Sequence, residues 1–577
     1  MTFLSSTYRS LPDIWGEGAI FAFSGIDGET DSRSGFVASF GSQPYDLLIH
    51  TPTRRVLQVR LADAGRVRAA TGDVLVVDTP AGELAAAFAN WHTLVGALPA
   101  GGRADLRGAD GLETYGLEPS SEGEWQISED LLHGDALALR VSGGRFALAY
   151  GVSAAQARLR AEAGSGIDLE KTIDQRLSFF SRLPVLGDPD RDRLLKKCAS
   201  VMKVNTLAAE GAIRQAWSTP DRIPHRHMWL WDSVFHSLAM NTVDAGLAWN
   251  FLKSVLEFQQ PDGMIPHMMV VDGASSAITQ PPLLAWGVWE NYQVLKDRQA
   301  LTYALPRLER YLEWDLAQRD QNGNGLLEWF IEGDVKCRSG ESGMDNSPRF
   351  DEALLLDAVD FSTFAALDMG CVAQIAEELG DVQRAQAWRA RAERMSRQVH
   401  DLLWDEAGGF YFDRRFDGSL TGVRAVSGFL PLLLPDLPAG RARRLLEALN
   451  DPGQFHSAFP VPSLSVSHPE WSTDMWRGAT WINFNYFVIL GLRRCGYIEE
   501  AGRLADWTVA VVNRYYRQYG VLFEFFDASD ERPPLACDRK GKRVEPYDIR
   551  RKYDSIRDYH WTAALTARLL LDQKEGA

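Results

Sequence analysis

Two periodicities divide the chain. In the first 150 residues or so, apolar positions come in short runs, at 35–40, 46–51, 55–61, 73–78, 136–141 and 146–150, set apart by Gly, Pro and Asp. Their length and turn spacing predict an antiparallel β-sandwich over residues 1–153. Residues 154–187 read as a helical linker, with Pro184 and Pro189 marking its far edge. From 188 onward the period becomes helical, and candidate helices cover 188–209, 230–242, 245–260, 282–297, 299–319, 360–379, 381–403, 425–434, 439–450, 479–495, 497–517 and 556–573. Twelve helices in sequential hairpins predict six pairs closed into a toroid, an (α/α)6 barrel over 188–577, in a multi-domain α and β chain. The longer non-helical stretches, 320–359, 404–424, 452–478 and 518–555, fall between helices, where loops can converge on one mouth of the barrel.

Two of those stretches contain isolated carboxylates in unusual company. Asp345 sits among turn formers, with Gly343 before it, Pro348 after it and Arg349 close enough to favour a nearby anion. Glu524 lies between Phe523 and Phe525, which would partly exclude water. Read alone, Asp345 could cap a turn and Glu524 could face solvent on an edge strand. Together they match the need of glycosidic hydrolysis for one carboxylic acid to protonate the leaving oxygen and one carboxylate to activate water or attack carbon.

Aromatic content strengthens the reading. The chain has 18 Trp, several beside polar groups: Trp229 and Trp231 precede Asp232, Trp286 follows Gln280, and Trp476 and Trp481 flank Arg477 and Gly478. Sugars present apolar C–H faces and polar rims, so their sites combine flat rings with carboxylates, amides and guanidiniums. Tryptophan is also a core residue, and only about a third of the 18 are expected to meet a ligand.

Composition narrows the partners. The 577 residues carry 61 basic and 77 acidic side chains, a net charge of −16, which argues against nucleic acid or an anionic membrane surface as partner and is indifferent to a neutral sugar. Five scattered cysteines, at 198, 337, 371, 495 and 537, give neither a disulfide framework nor a zinc cluster. The first residues lack a basic start followed by an apolar run, and there are no 18 uninterrupted apolar residues, so a cytoplasmic location is the expectation. Nothing in the pattern specifies an oligomeric state. One segment suggests a metal: Asp320, Asn322, Asn324, the Leu326 carbonyl and Glu328 resemble the start of a calcium loop, although the Glu falls at the ninth position rather than the twelfth. A turn capped by Asn and Gly is the alternative, and no cofactor is expected for catalysis.

In order and spacing, Trp229-Leu-Trp-Asp232, Gly263-Met-Ile-Pro-His267, Gln280-Pro-Pro282, Glu341 to Pro348, Trp476-Arg-Gly478 with Trp481, and Phe523-Glu-Phe525 with His560-Trp561 resemble the catalytic domain of glycoside hydrolase family 63. The resemblance implies an inverting hydrolase of terminal α-linked sugars, with Asp345 as general acid and Glu524 as general base standing ~6.5–9.5 Å apart to admit a water. It places Trp229, Asp232, Gln280, Trp476 and Trp481 around the sugar, and the same motifs add Trp231, Arg477, Gly478 and His560 to the binding set; Arg477 would serve equally as a structural ion pair. α-Glucosides are the first substrate reading, because a β-rich N-terminal domain accompanies the longer α-glucosidases. The alternatives are another toroidal carbohydrate enzyme, trehalase-like or a glucosylglycerate or mannosylglycerate hydrolase, and a non-catalytic glycan-binding protein.

Overall fold

The computed structural model describes residues 3–109, 119–352, 354–541 and 554–575. The N-terminal part is antiparallel and β-rich, as the short apolar runs predict. One sheet joins Ile20–Phe21, Ala38–Phe40, Leu47–Ile49, Arg55–Arg60 and Arg103–Gly108 in that order. A larger sheet runs Ser120–Glu122, Trp125–Asp130, Asp135–Ser142, Arg145–Gly151, Thr93–Ala97, Gly82–Asn90, Val74–Thr79 and Arg66–Ala70. Helices α1 (Ala154–Ser165) and α2 (Leu169–Leu177) occupy the segment read as a linker, and both lie against strands of the larger sheet. The small buried faces of Ala157 and Ala161 seat α1 against Ala136, Ala138 and Ala149.

The remainder is helical: α3 (Pro189–Val204), α4 (Leu230–Val243), α5 (Ala245–Glu257), α6 (Leu284–Leu295), α7 (Arg298–Gln318), α8 (Val359–Glu378), α9 (Val382–Leu402), α10 (Ala439–Leu449), α11 (Ile482–Arg494), α12 (Ile498–Tyr519) and α13 (His560–Glu575). The expected helix at 425–434 is instead a 3-10 segment, Val426–Leu433. Pro431 removes an amide donor and Gly428 weakens helical propensity, so the tighter winding takes its place. The predicted first helix also stops early, because Thr206–Leu207 pairs as a strand with Trp217–Ser218.

Packing follows an alternation. Helix α4 packs on α6, α6 on α8, α8 on the 3-10 segment, that segment on α11, α11 on α13, and α13 on α4 again. These inner elements are buried almost all round; the whole stretch from Leu230 to Asn241 of α4 is buried. Helices α3, α5, α7, α9 and α12 lie outside them, each packed on an inner neighbour with one apolar face. Asp188, Asp244, Asp297 and Asp381 cap the N-termini of α3, α5, α7 and α9, whereas α4, α6, α8 and α11 begin without a side-chain cap. Among the described residues, no helix is long and apolar enough to cross a membrane, and all five cysteines are unpaired.

Candidate active site

The residues singled out by sequence gather where inner helices begin. Trp229, Trp231 and Asp232 open α4, Gln280 precedes α6, Trp481 precedes α11, and Tyr559 and Trp561 bracket the start of α13. The positive ends of these helix dipoles therefore face one pocket. Its volume is about 160 Å3, and Asp345, Glu524 and Asp232 line it with five of the chain's 18 tryptophans, 229, 231, 476, 481 and 561. That is below the ~300–1,000 Å3 typical of drug-sized ligands and suits a small polar one. Trp476 and Trp481 stack parallel, 3.8 Å between centroids, and Trp561 meets Trp231 and Trp481 edge-on.

Glu524 is 2% exposed. Its backbone N–H donates to the Ile556 carbonyl at 2.8 Å, and its carboxylate accepts a fork from Arg539, Nε at 2.8 Å and Nη2 at 2.9 Å. Asp345 lies on the turn after Gly343, whose φ of +70° favours glycine; a Cβ there would also stand 2.3 Å from Cζ2 of Trp231. The cation beside Asp345 is Lys540, whose Nζ is 2.5 Å from Oδ2. Arg349, expected to serve an anion here, is buried and bound instead to Asp360 and Asp413. Four residues of separation placed it on the far side of the turn, where it fastens the loop to α8.

Asp232 is fully enclosed: burial raises its pKa well above the usual carboxylate range, and Asp221, Glu524 and Asp345 add to the rise. Among the described residues its Oδ1 has no hydrogen-bond partner. Gln280 is oriented by the Trp231 N–H, which donates to its Oε1 at 3.1 Å. Burial also lowers His267 to about 4, so its ring is neutral beside Trp229.

Three expected site residues do not line the pocket. Arg477 forms ion pairs with Asp351 and Glu470 and donates to the Asn346 carbonyl. Gly478 is required by packing, since a Cβ would fall 2.4 Å from the Ser472 carbonyl. His560 is buried behind the site, where Nδ1 engages the Thr219 carbonyl at 3.0 Å, the ring stacks on His236, and burial depresses its pKa to about 3. Its start-of-helix position points it towards α4 rather than the cavity. Conversely, the pocket uses Arg539, Lys540, Tyr559 and His225, to which sequence reasoning gave no role. The adjacent cations at 539 and 540 lie in an aperiodic loop, and their only signal was the need of two carboxylates for counter-charge.

The 320–328 loop lies outside the pocket. Asn322 and Asn324 accept N–H groups of Asn324 and Leu326 and donate their amides to Asp357, both at 2.7 Å. Glu328 is raised to about 7, chiefly by burial, with Asp357 and Asp320 adding to it, and Asp320 Oδ1 is buried without a partner. Among the described residues, no three His, Cys, Asp or Glu side chains stand in a metal-holding arrangement, so an ion here would draw on amide and carbonyl oxygens as well.

A family model described as the mannosylglycerate hydrolase MGH1-like glycoside hydrolase domain matches residues 225–562. A mannosylglycerate hydrolase of Thermus thermophilus is 27% identical over 392 residues, 53% of this chain and 91% of that protein. Mannosylglycerate hydrolase MGH1 of Selaginella moellendorffii is 25% identical over 439 residues, 61% of this chain and 84% of that protein. The crystal structure of a GH63 mannosylglycerate hydrolase from Thermus thermophilus, in complex with glucose, aligns at 25% identity with a TM-score of 0.53, covering 65% of this chain and 99% of that one. A bacterial glucoamylase complexed with acarbose shares the fold alone, at 13% identity and a TM-score of 0.59, but over 98% of this chain and 97% of its own.

Proposed function

The chain belongs to the MGH1-like glycoside hydrolase family, and from that premise we propose that it hydrolyses an α-linked sugar from a small acidic aglycone such as glycerate, with inversion at the anomeric carbon. The observation that carries this reading is the convergence of Asp345 and Glu524 on one aromatic-walled pocket. The first substrate reading, a general α-glucosidase, gives way to its alternative, because relatives covered over most of their length are mannosylglycerate hydrolases. The succession of inner and outer helices, returning from α13 to α4, supports the (α/α)6 toroid as the frame.

In this mechanism Asp345 protonates the leaving oxygen while Glu524 draws a proton from a water on the opposite face of the sugar. The Arg539 fork holds Glu524 in place by charge-assisted hydrogen bonds. Asp232, its Oδ1 unpartnered among the described residues, offers the sugar hydroxyls a hydrogen-bonding group, and the indoles pack against C–H faces. Asp320, Asn322, Asn324, Glu328 and the Leu326 carbonyl would hold a calcium ion; its orphaned oxygen and crowded carboxyl groups fit one. That ion would neutralise buried charge and has no part in the reaction.

The test is a panel of glucosylglycerate, mannosylglycerate and neutral α-disaccharides. Turnover of a glycerate glycoside well above every disaccharide is expected; turnover of disaccharides alone would restore the α-glucosidase reading.

A further inference from the structure

The pairing of Lys540 with Asp345 sets a chemical problem. A general acid must carry a proton when substrate is cut, yet Oδ2 of Asp345 stands 2.5 Å from the Lys540 ammonium, the geometry of an ion pair. The backbone that carries this side chain is firmly placed: Asp474 accepts the Lys540 backbone N–H at 2.7 Å through Oδ1 and that of Gly541 at 2.9 Å through Oδ2. The same Asp474 takes the amide of Asn346, next to Asp345, at 3.1 Å. One carboxylate thus ties the loop bearing the cation to the loop bearing the acid.

Among the described residues, the other charged or titratable groups around Asp345 are Arg539 beside Lys540, Asp232 on α4, Glu524, His267, Cys337, His225, Tyr559 and Asp474. Arg539 is committed to Glu524, burial raises Asp232 well above the usual carboxylate range and lowers His267 to about 4, and burial keeps the Cys337 thiol protonated, its pKa pushed up to about 12. Among the described residues, Lys540 is the cation paired with Asp345.

We propose that Lys540 is a specificity-determining charge switch, which an anionic aglycone draws away from Asp345 so that the acid gains its proton only when the right substrate is bound. The inference rests on the acidic aglycone of the preceding section. Before substrate binds, Lys540 ammonium faces Asp345 carboxylate. On binding, the ammonium pairs with the aglycone carboxylate, and Asp345, now beside two negative groups, takes a proton from solvent. That proton then passes to the glycosidic oxygen as the bond breaks. A neutral aglycone has no charge with which to compete for Lys540, and leaves the acid unprotonated.

Proton linkage reads this without any turnover. D-Glycerate is titrated calorimetrically into the full-length enzyme at mildly acidic pH, in buffers of different ionisation enthalpy, with glycerol as the neutral control. The wild type is expected to take up close to one proton per glycerate bound. K540M should bind glycerate about tenfold more weakly or worse and without uptake, and D345N should bind it without uptake. Glycerate that binds with no proton uptake, that does not bind, or that binds K540M as tightly as wild type overturns the switch. Hydrolysis of glucosylglycerate against glucosylglycerol separates this from the functional reading. Cleavage of both with the same preference in K540M leaves the function standing and removes the switch. Proton uptake without cleavage of either keeps the switch and removes the substrate.

Discussion

At the residue scale, two carboxyl groups are distinguished by what touches them. Glu524 is buried and forked by a guanidinium, which suits a fixed base; Asp345 is about one-fifth exposed and meets a flexible ammonium, which suits a group that must change its charge. Replacing Asp345 with Asn should cost about 10²–10⁴-fold on a natural glycoside. It should spare a glycosyl fluoride, whose leaving group needs no proton. Equal loss on both substrates would show that Asp345 is not the acid. Glu524→Gln leaves Arg539 facing an amide, and should abolish turnover on natural glycoside and fluoride alike, since water activation is needed for both.

At the element scale, the catalytic loops hang from inner helix starts; that they lie between helices was legible in advance, but which helix starts they precede was not. Helices from 230 to 519 lie within a few residues of the periodicity, because an amphipathic outer helix such as α12 and a mostly buried inner one such as α4 both leave clear patterns. The exception at 426–433 turned on one proline. The motif residues on helix starts reached the pocket, whereas Arg477, Gly478 and His560 lie within the same motifs but face away. A motif gives order along the chain, and side-chain direction depends on packing that spacing does not encode. Arg539 and Lys540 escaped because neither period nor turn chemistry marks a loop cation. The 320–328 loop remains a test of the metal reading. Glu328, raised to about 7 from 4.5, stabilises the fold in its protonated form below about 4.5, and that contribution is lost as pH rises through 7. A bound cation offsets the loss, so a chelator should lower the melting temperature, more at pH 8 than at pH 5, and Asp320→Ala should remove the response. An unchanged melting curve, with no metal by elemental analysis, would establish the hydrogen-bonded turn.

At the scale of the whole molecule, the β-rich part is fastened to the back of the active site through Asp558. Its carboxylate accepts the Ile20 N–H from the first sheet at 3.0 Å, the Lys197 ammonium from α3 at 2.8 Å and the Leu522 N–H beside Glu524 at 3.1 Å. It immediately precedes Tyr559, which lines the pocket. Removing one partner of such a buried pair leaves the other charge uncompensated, at a cost of about 3–5 kcal/mol. Asp558→Ala should therefore lower the melting temperature and also depress kcat, while a variant of the exposed pair Arg503–Glu499 should do neither. Stability loss with unchanged kcat per folded molecule would show that the two parts are joined without mechanical consequence for the base. The central claim, that Asp345 and Glu524 act on opposite faces of an α-linked sugar, is tested most directly by proton NMR of the first product. Early in the reaction with a glycerate α-glycoside, before mutarotation, the β-anomer of the free sugar should appear first. The α-anomer as first product would contradict the assignment of acid and base.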